Sequence, residues 1–364
     1  MLLVVFGAGA SYDSYPEVPA SAPPVVQMQS STEEDRPPLA NQLFDNREIF
    51  VALMEKFRDC QALVPILRQS GASVEKKLAE FREQGKTFPR ARRELAAIQY
   101  YLHFALWTCQ KQWYSRHRGV TNFATLLREL ERWRFETNQH ICFVTFNYDT
   151  MLEEAMETVL RLTVRSIDSY RWENYSLFKL HGSVNWGRVV EHNYGQGSPD
   201  LFYQALMDSV ERGTSSITER YHLCDLELHP NPPSGVLLYP ALSIPMDKKD
   251  EFSCPLGHIT ALEALLPRVT KVITIGWRGT EAEFLAKLKF ARKQPYAGIR
   301  NAMDLLIVTG SAEGAGETLA NLINVGEKSP ELFPNHTRDA VVSGFTGLIN
   351  NLGSLNEFVR RGLR

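Results

Sequence analysis

The sequence predicts an α/β protein with a Rossmann-like, mostly parallel sheet, helices on both of its faces and a large helical insertion. The chain opens on a short apolar run, Leu2–Phe6, and several later apolar runs of similar length also end in small or polar residues. Such runs are typical of parallel strands that are buried on both faces. A long stretch of helical periodicity separates the first two of these runs.

The first apolar run leads into a turn in which Ala8 stands between Gly7 and Gly9. Glycine has no Cβ, so the backbone can turn sharply here and come close to a bound group. A helix that starts near Ser11 would direct its N–H groups toward that group and favour a phosphate. Because Tyr12 stands where a dinucleotide fingerprint has its third glycine, a plain strand-to-loop turn is the alternative interpretation.

Composition limits the classes of function. The chain has 364 residues, which is enough for one large domain or two ordinary ones. Its net charge of −2 does not favour nucleic acid or an anionic membrane as a direct partner. No apolar run approaches the about 20 residues that span a bilayer, and the features of a signal peptide are missing. We therefore expect a cytoplasmic protein.

The cysteines are scattered along the chain, and no two of them form a C-x-x-C pair. An odd and dispersed set is more typical of reduced, buried thiols than of a disulfide framework or a structural zinc site. The five residues are Cys60, Cys109, Cys142, Cys224 and Cys254.

Two long stretches follow the first turn. Residues 13–38 are rich in proline and polar residues and predict a long loop, either a lid over the first turn or a mobile segment. Residues 39–136 carry helical periodicity, with Thr121 or Asn122 as the N-cap of the last helix. This is too much helix for one crossover, so we predict a helical insertion at 39–136 within a Rossmann domain formed by 1–38 and 137–364.

The second informative stretch is residues 141–149, a buried strand that ends in Asn147 and Asp149. Asn147 therefore lies at the carboxyl end of a strand, where ligands bind in open α/β sheets. Asp149 or Thr150 can cap the helix that follows, and a capping role is the simpler interpretation of Asp149.

The third stretch, residues 176–186, is a short strand that delivers His181 to a turn at Gly182. A single histidine is often structural or simply exposed, which is the alternative here. Histidine is also the side chain best matched to proton transfer near neutral pH. Its place at a strand end makes His181 a candidate for that role.

Together these segments resemble the sirtuin-like NAD-binding domains, and most closely the branch found in bacterial anti-phage defence proteins. The matching segments, in order, are Gly-Ala-Gly-Ala-Ser at 7–11, Thr-Phe-Asn-Tyr-Asp at 145–149 and Leu-His-Gly-Ser at 180–183. Two later strands, 272–277 and 305–311, are similar to further strand ends of that family. The resemblance spans residues 1–14 and about 140–345, and the helical block is where the family varies.

The resemblance implies that NAD⁺ lies across the strand ends. The glycine turn with Ser11 would approach the pyrophosphate, and Asn147 and Asp149 would lie near the nicotinamide ribose. His181 would be the general base beside that ribose, with Asn147 as the second catalytic residue. The residues that the resemblance assigns to NAD⁺ are Gly7, Ala8, Gly9, Ser11, Thr145, Asn147, Asp149, His181, Gly276, Trp277, Gly310 and Ser311.

The sequence departs from the protein-deacylating members of the family. The four-cysteine zinc ribbon of those members has no counterpart here, so we expect no zinc. The segment that follows their glycine turn is also missing, and Tyr12-Asp13-Ser14-Tyr15-Pro16 stands in its place. Their Tyr-Ser-Leu after the later glycine is replaced by Trp277-Arg278-Gly279. We therefore expect NAD⁺ itself as the substrate, in an NAD⁺ glycohydrolase that releases nicotinamide and ADP-ribose and depletes cellular NAD⁺ in anti-phage defence (abortive infection).

Two alternatives to this enzyme stay open. The first is a catalytically silent NAD- or nucleotide-binding subunit that works only with a partner ATPase. The second and weaker alternative is a protein deacylase or ADP-ribosyltransferase. Family members commonly form homo-oligomers, and some act with an ATPase of the HerA type. This sequence has no P-loop, so such an ATPase would act in trans. Lys248 and Lys249 are either phosphate contacts or exposed lysines.

Overall fold

A computed structural model describes residues 1–15, 36–68, 74–191, 199–229, 238–244, 252–293, 303–324, 333 and 337–362. The strands in this part of the chain are β1 (Leu2–Phe6), β2 (Ile141–Thr145), β3 (Tyr175–Lys179), β4 (Gly182–Val190), β5 (Ile217–Leu223), β6 (Leu238–Leu242), β7 (Lys271–Ile275), β8 (Asp304–Val308) and β9 (Arg338–Val341).

The α-helices in the described residues are α1 (Ala8–Tyr12), α2 (Glu48–Lys56), α3 (Val64–Leu67), α4 (Val74–Thr87), α5 (Pro89–Arg116), α6 (Asn122–Thr137), α7 (Met151–Leu160), α8 (Pro199–Arg212), α9 (Leu256–Leu265), α10 (Ala282–Lys293), α11 (Ala312–Asn324), α12 (Gly344–Asn350) and α13 (Leu352–Arg360). Short 3₁₀ helices occupy Ala40–Gln42, Arg58–Cys60, Ile167–Ser169 and Leu266–Arg268. None of the helices in this part of the chain is long and apolar enough to cross a membrane.

Six strands form one sheet in the order β3-β2-β1-β7-β8-β9, and each neighbouring pair is parallel. The predicted α/β fold with a Rossmann-like sheet is therefore confirmed. The chain leaves β1 toward one edge of the sheet and later leaves β7 toward the other edge. The strand order thus reverses between β1 and β7, and the crevice at such a switch point is where open α/β sheets bind ligands.

The five strands nearest the switch point end level with one another. Phe6 pairs with Thr145 on one side and Ile275 on the other, and the pairing continues outward to Lys179 and Val308. The segments that follow these residues therefore emerge side by side at the carboxyl edge of the sheet. These are the segments in which the sequence predicted ligand-binding residues.

A second sheet has three antiparallel strands in the order β5-β4-β6. This sheet was not predicted from the sequence. Because β4 begins at Gly182, directly after His181, the small sheet is connected to the carboxyl end of β3 by a turn of two residues.

Two hydrophobic clusters form the core. The first surrounds the parallel sheet and includes α6, whose Phe123 and Trp133 are almost fully buried. The second joins α2 to α5 with residues of β4 and β6, such as Val184 and Tyr239. Helix α6, inside the predicted insertion, thus packs on the Rossmann core, while β4 and β6, outside the insertion, pack on its helices. The domain boundaries stay a prediction.

The first helix begins earlier than the sequence analysis expected, at Ala8 instead of near Ser11, and has only five residues. Gly7 is extended and serves as its N-cap, with the Ala10 N–H donating to the Gly7 carbonyl at 2.9 Å. A helix this short has little dipole, so α1 is a weak attractor of phosphate. At the start of α6, the Thr121 hydroxyl accepts the Ala124 N–H at 3.3 Å, which confirms the predicted cap.

Candidate functional site

The glycine turn after β1 packs directly on the turn after β7. The N–H of Gly7 donates to the Ile275 carbonyl at 3.0 Å, and the N–H of Gly9 donates to the Gly276 carbonyl at 3.1 Å. A Cβ on Gly7 would lie 2.5 Å from the Gly276 oxygen, and Gly276 itself has a φ of +59° with the Ala10 amide against it. These glycines are therefore needed for the contact of two backbones at the switch point.

Beside this contact, Ser11 joins two residues that follow β2. Its hydroxyl donates to Oδ2 of Asp149 at 2.5 Å, and it accepts a hydrogen bond from Nδ2 of Asn147 at 2.7 Å. Oδ1 of Asp149 accepts the N–H of Met151 at 3.1 Å, at the first turn of α7. The N-cap residue of α7 is Thr150, which makes no side-chain capping bond, and Asp149 instead accepts the first N–H of the helix while it also orients Ser11.

Asn147 is a buried polar side chain at this edge. It is only 6% exposed, and its own N–H donates to Oγ1 of Thr145 at 3.1 Å. Its amide nitrogen is bound to Ser11, while its Oδ1 is buried and has no hydrogen-bond partner among the described residues. Because buried acceptors are nearly always paired, this oxygen fits a ligand or water that donates a proton to it.

His181 lies next to the Asn147 segment and is 1% exposed. Its ring centroid lies 4.8 Å from that of Phe146 and 6.4 Å from that of Tyr148, the two neighbours of Asn147 in sequence. The main chain joins the same segments, because the Leu180 N–H donates to the Thr145 carbonyl at 3.1 Å. The structure therefore brings His181 and Asn147 to one corner of the sheet edge.

The turn that follows His181 requires a glycine at position 182. Gly182 has a φ of +80°, and a Cβ there would collide with the Ala241 carbonyl of β6. The Ser243 N–H also donates to the His181 carbonyl at 2.8 Å. The turn is thus held between the large sheet and β6, which fixes the backbone of His181.

Trp277 is buried just after the end of β7, and its ring stacks on the ring of Phe146. The two rings stack with centroids 5.5 Å apart and an interplanar angle of 12°. The indole N–H donates to Oε2 of Glu281 at 2.5 Å, so the ring is held by stacking on one face and by a hydrogen bond at its edge. Trp277 therefore packs on the residue before Asn147.

Gly310 and Ser311 lie further from this corner, at the exposed end of β8. Nothing lies within 4 Å of a Cβ placed on Gly310. The Ser311 hydroxyl accepts the Gly314 N–H at 3.1 Å and so caps α11. Their predicted contact with the dinucleotide stays a prediction, while Ser311 has a clear structural role.

A buried ion pair beneath the site was missed in the sequence analysis. Lys179, the last residue of β3, is wholly buried, and its ammonium donates to the Asp149 carbonyl and to Oε1 of Glu153 at 2.8 Å. Burial raises the pKa of Glu153, and the nearby Lys179 opposes that shift. A lysine between Phe178 and Leu180 in an apolar strand was the signal that could have revealed the pair.

The cysteines are dispersed through the cores, and each is a buried thiol. Burial raises the pKa of Cys60 and of Cys254 to about 12. Among the residues that the structure describes, no three His, Cys, Asp or Glu side chains are grouped to hold a metal ion. Most of the predicted 13–38 loop, together with Lys248 and Lys249, lies outside the described residues.

Comparison with protein-family models finds no match for this chain, and comparison with curated proteins finds none either.

Proposed function

We propose that this chain is an NAD⁺ glycohydrolase, which uses water to cleave the bond between nicotinamide and ribose and releases nicotinamide and ADP-ribose. The observation that carries the proposal is the buried Asn147 carboxamide. Ser11 holds its nitrogen, and its oxygen has no partner among the described residues. An acceptor without a partner, at a strand end next to the switch point, is what a ribose hydroxyl or an attacking water would need.

The strand order supports a dinucleotide over a smaller ligand. Counted along the chain, the six parallel strands lie in the order 3-2-1-4-5-6, which is the order of folds built from two mononucleotide-binding halves. In such folds the dinucleotide lies across the carboxyl ends of the strands at the switch point, and here Gly9 and Gly276 are the residues that meet at that point.

The chemistry follows from the charge that develops during cleavage. As the glycosidic bond breaks, nicotinamide leaves with the electron pair and positive charge builds on the ribose, as in other glycoside cleavages. The Asn147 oxygen would accept a hydrogen bond from the attacking water or from a ribose hydroxyl. A neutral His181 would take the proton that is released when the water oxygen bonds to the ribose carbon. General base catalysis of this kind contributes about 10² to 10⁴ in rate.

The resemblance to sirtuin-like domains supports NAD⁺ as the dinucleotide and adds the biological setting. We place the protein in the bacterial cytoplasm, where its activity would deplete NAD⁺ during anti-phage defence. The cysteine pattern and the altered segments after the two glycine turns argue against a protein substrate, as deacylases require.

One observation favours the second candidate, a subunit that is silent until it assembles. Ser11, Asn147 and His181 are 4%, 6% and 1% exposed, so substrate needs an opening of this edge. Assembly into a homo-oligomer, or with an ATPase of the HerA type, would supply a trigger for such opening. A cell has reason to restrain an enzyme that consumes NAD⁺.

The direct test is NAD⁺ consumption by the purified protein, with the products separated by chromatography. We expect nicotinamide and ADP-ribose from the wild type, and a loss of at least about 10²-fold in His181→Ala. Asn147→Ala should lose turnover as well. His229→Ala removes an exposed histidine that is paired with Asp225 and is the matched control.

The alternative is tested with the same assay. Gel filtration of the chain alone, and together with an ATPase encoded beside it, shows which assembly forms, and NAD⁺ turnover is then measured on each species. Turnover only in the assembly would favour the silent subunit. If neither species consumes NAD⁺, or if His181→Ala and Asn147→Ala both keep the wild-type rate, the proposed function is wrong.

A further inference from the structure

Lys179 occupies an unusual place for a lysine. It ends β3, its side chain is 0% exposed, and it precedes His181 by two residues. Its ammonium reaches across to the neighbouring strand end, where it donates to the main-chain carbonyl of Asp149 and to the Glu153 carboxylate. One side chain thus connects the segment that carries His181 with the segment that carries Asn147.

Stability alone does not explain this arrangement. A buried ion pair loses hydration on both partners, and an apolar pair of similar size is often as stable or more stable. The second oxygen of Glu153, Oε2, is buried without a hydrogen-bond partner among the described residues, so the pair is not fully satisfied. The part of the geometry that an apolar pair could not replace is the donation to the Asp149 carbonyl.

That carbonyl belongs to the residue whose side chain orients Ser11, and Ser11 in turn holds the Asn147 amide. We propose that Lys179 is a positioning residue, whose ammonium fixes the main chain at Asp149 and thereby the direction of the Asn147 carboxamide. Glu153 is its counterion and acts only through Lys179. The expected effect on turnover depends on the proposed NAD⁺ hydrolysis, whereas the effect on the segment 145–150 does not.

The same sheet contains a matched control. Lys271 is also a buried strand lysine, 7% exposed, but it is the first residue of β7 and so lies at the amino ends of the parallel strands. Its ammonium donates to Asp304 at 2.8 Å and to the carbonyls of Phe358 and Arg361 at 3.1 and 2.8 Å. Lys271→Met therefore removes the same kinds of bond without touching the carboxyl edge.

The test is a cycle of Lys179→Met, Glu153→Gln and the double variant, compared with Lys271→Met. The single Lys179→Met leaves a buried carboxylate without its partner, so its instability says nothing about positioning. The double variant removes both charges and should recover much of that stability, while the Asp149 carbonyl still lacks its donor. Glu153→Gln alone keeps the donor in place.

Two measurements are made on each folded variant. Hydrogen–deuterium exchange is followed for peptides that cover 145–150, and kcat and KM are measured with NAD⁺ as the probe. We expect about tenfold faster exchange at 145–150 in the double variant, consistent with the loss of a hydrogen bond to a charged donor. We also expect kcat to fall about 10²-fold, with a smaller change in KM, as misplacement of a reacting group predicts.

Lys271→Met should show neither change, and Glu153→Gln should keep kcat within about tenfold of the wild type. The proposal is overturned if exchange at 145–150 in the double variant equals that of the wild type, or if Lys271→Met lowers kcat as much as the double variant does. When the wild type does not consume NAD⁺ at all, the exchange result decides by itself, so failure of this inference and failure of the proposed function are distinguishable.

Discussion

Ser11 and Asp149 are separated by 138 positions in sequence and are joined by a hydrogen bond of 2.5 Å. The bond connects the turn after β1 with the turn after β2, and because the serine donates in it, the hydroxyl oxygen can still accept the Asn147 amide N–H. Ser11 therefore determines which way the Asn147 carboxamide faces.

We expect Ser11→Ala to lower NAD⁺ turnover. The change leaves the Asn147 amide without its acceptor and Asp149 without its donor, and such losses cost about 1–3 kcal/mol each. We predict a fall in kcat of about tenfold or more. The free energy of unfolding in urea is measured on the same variant. The control is Ser209→Ala, a buried serine of α8 that donates to the Leu206 carbonyl. Wild-type kcat in Ser11→Ala would show that the serine does not orient the site.

Gly276 and Gly310 follow adjacent strands, yet the structure predicts opposite responses to alanine. Gly276 has a positive φ and touches the backbone of Gly9, so Gly276→Ala should destabilise the fold by about 2 kcal/mol or more. Gly310 is exposed with open space around it, so Gly310→Ala should change the unfolding free energy by less than about 0.5 kcal/mol. Urea unfolding of both variants measures the difference.

The pair also tests the predicted contact of Gly310 with the dinucleotide. Because Gly310→Ala should leave stability unchanged, a raised KM for NAD⁺ in that variant would report a lost approach of the ligand. An unchanged KM would remove Gly310 from the binding residues. Equal destabilisation of the two variants would contradict the packing argument.

Ser311 has two possible roles that substitution can separate. As the cap of α11 it should lose about 1 kcal/mol of stability in Ser311→Ala, whereas Ser311→Asp keeps an oxygen in the capping position. A carboxylate there would repel a bound phosphate, so Ser311→Asp should raise KM for NAD⁺ if the residue faces the dinucleotide. Thermal unfolding and KM are measured on both variants. Full stability of Ser311→Ala would rule out the cap.

His103 makes stability depend on pH. Burial lowers its pKa to about 4. Its Nε2 lies 2.8 Å from the Leu226 carbonyl, so that nitrogen carries the proton, and the buried Nδ1 has no partner among the described residues. In the unfolded chain a histidine has a pKa of about 6.5, so the unfolded state binds the proton first as pH falls.

The stabilising effect of a neutral His103 is therefore complete above pH about 6.5 and is lost as the pH falls toward 4, by up to about 3 kcal/mol. His103→Gln keeps a donor for Leu226 without a titrating group, so its stability should fall less over this range. Urea unfolding at several pH values between 4 and 7.5 measures the difference between the two proteins. Parallel pH profiles would mean that His103 is accessible to protons when folded.

The elements that depend on local chemistry are the ones that the sequence predicts correctly. Apolar runs of five residues gave the strands around the switch point, and Thr121 gave the start of α6. The strand-end position of Asn147 and His181 follows from the same pattern. Parallel strands bring their carboxyl ends to one edge, so the meeting of these residues could be expected without coordinates.

Other features could not be predicted because they depend on neighbours that are distant in sequence. The sequence predicted a close approach of ligand at Gly7, Gly9 and Gly276, which stays a prediction, but it did not indicate that two backbones are in contact there. The antiparallel sheet and its packing on α2 to α5 depend on the pairing of β4 with β6. The spacing of hydrophobic residues within either strand does not indicate which strand it pairs with. The start of α1 at Ala8 follows from the extended conformation of Gly7.

By itself, then, the sequence determined the α/β class, the strand ends and the polar residues that stand there, since hydrophobic period and turn chemistry act between near neighbours. Only the tertiary structure decided that Ser11 holds Asn147, that Lys179 reaches Asp149 and that Trp277 stacks on Phe146. These contacts are made by side chains from different strands, and their partners are set by strand order and register, which emerge when the whole sheet has assembled.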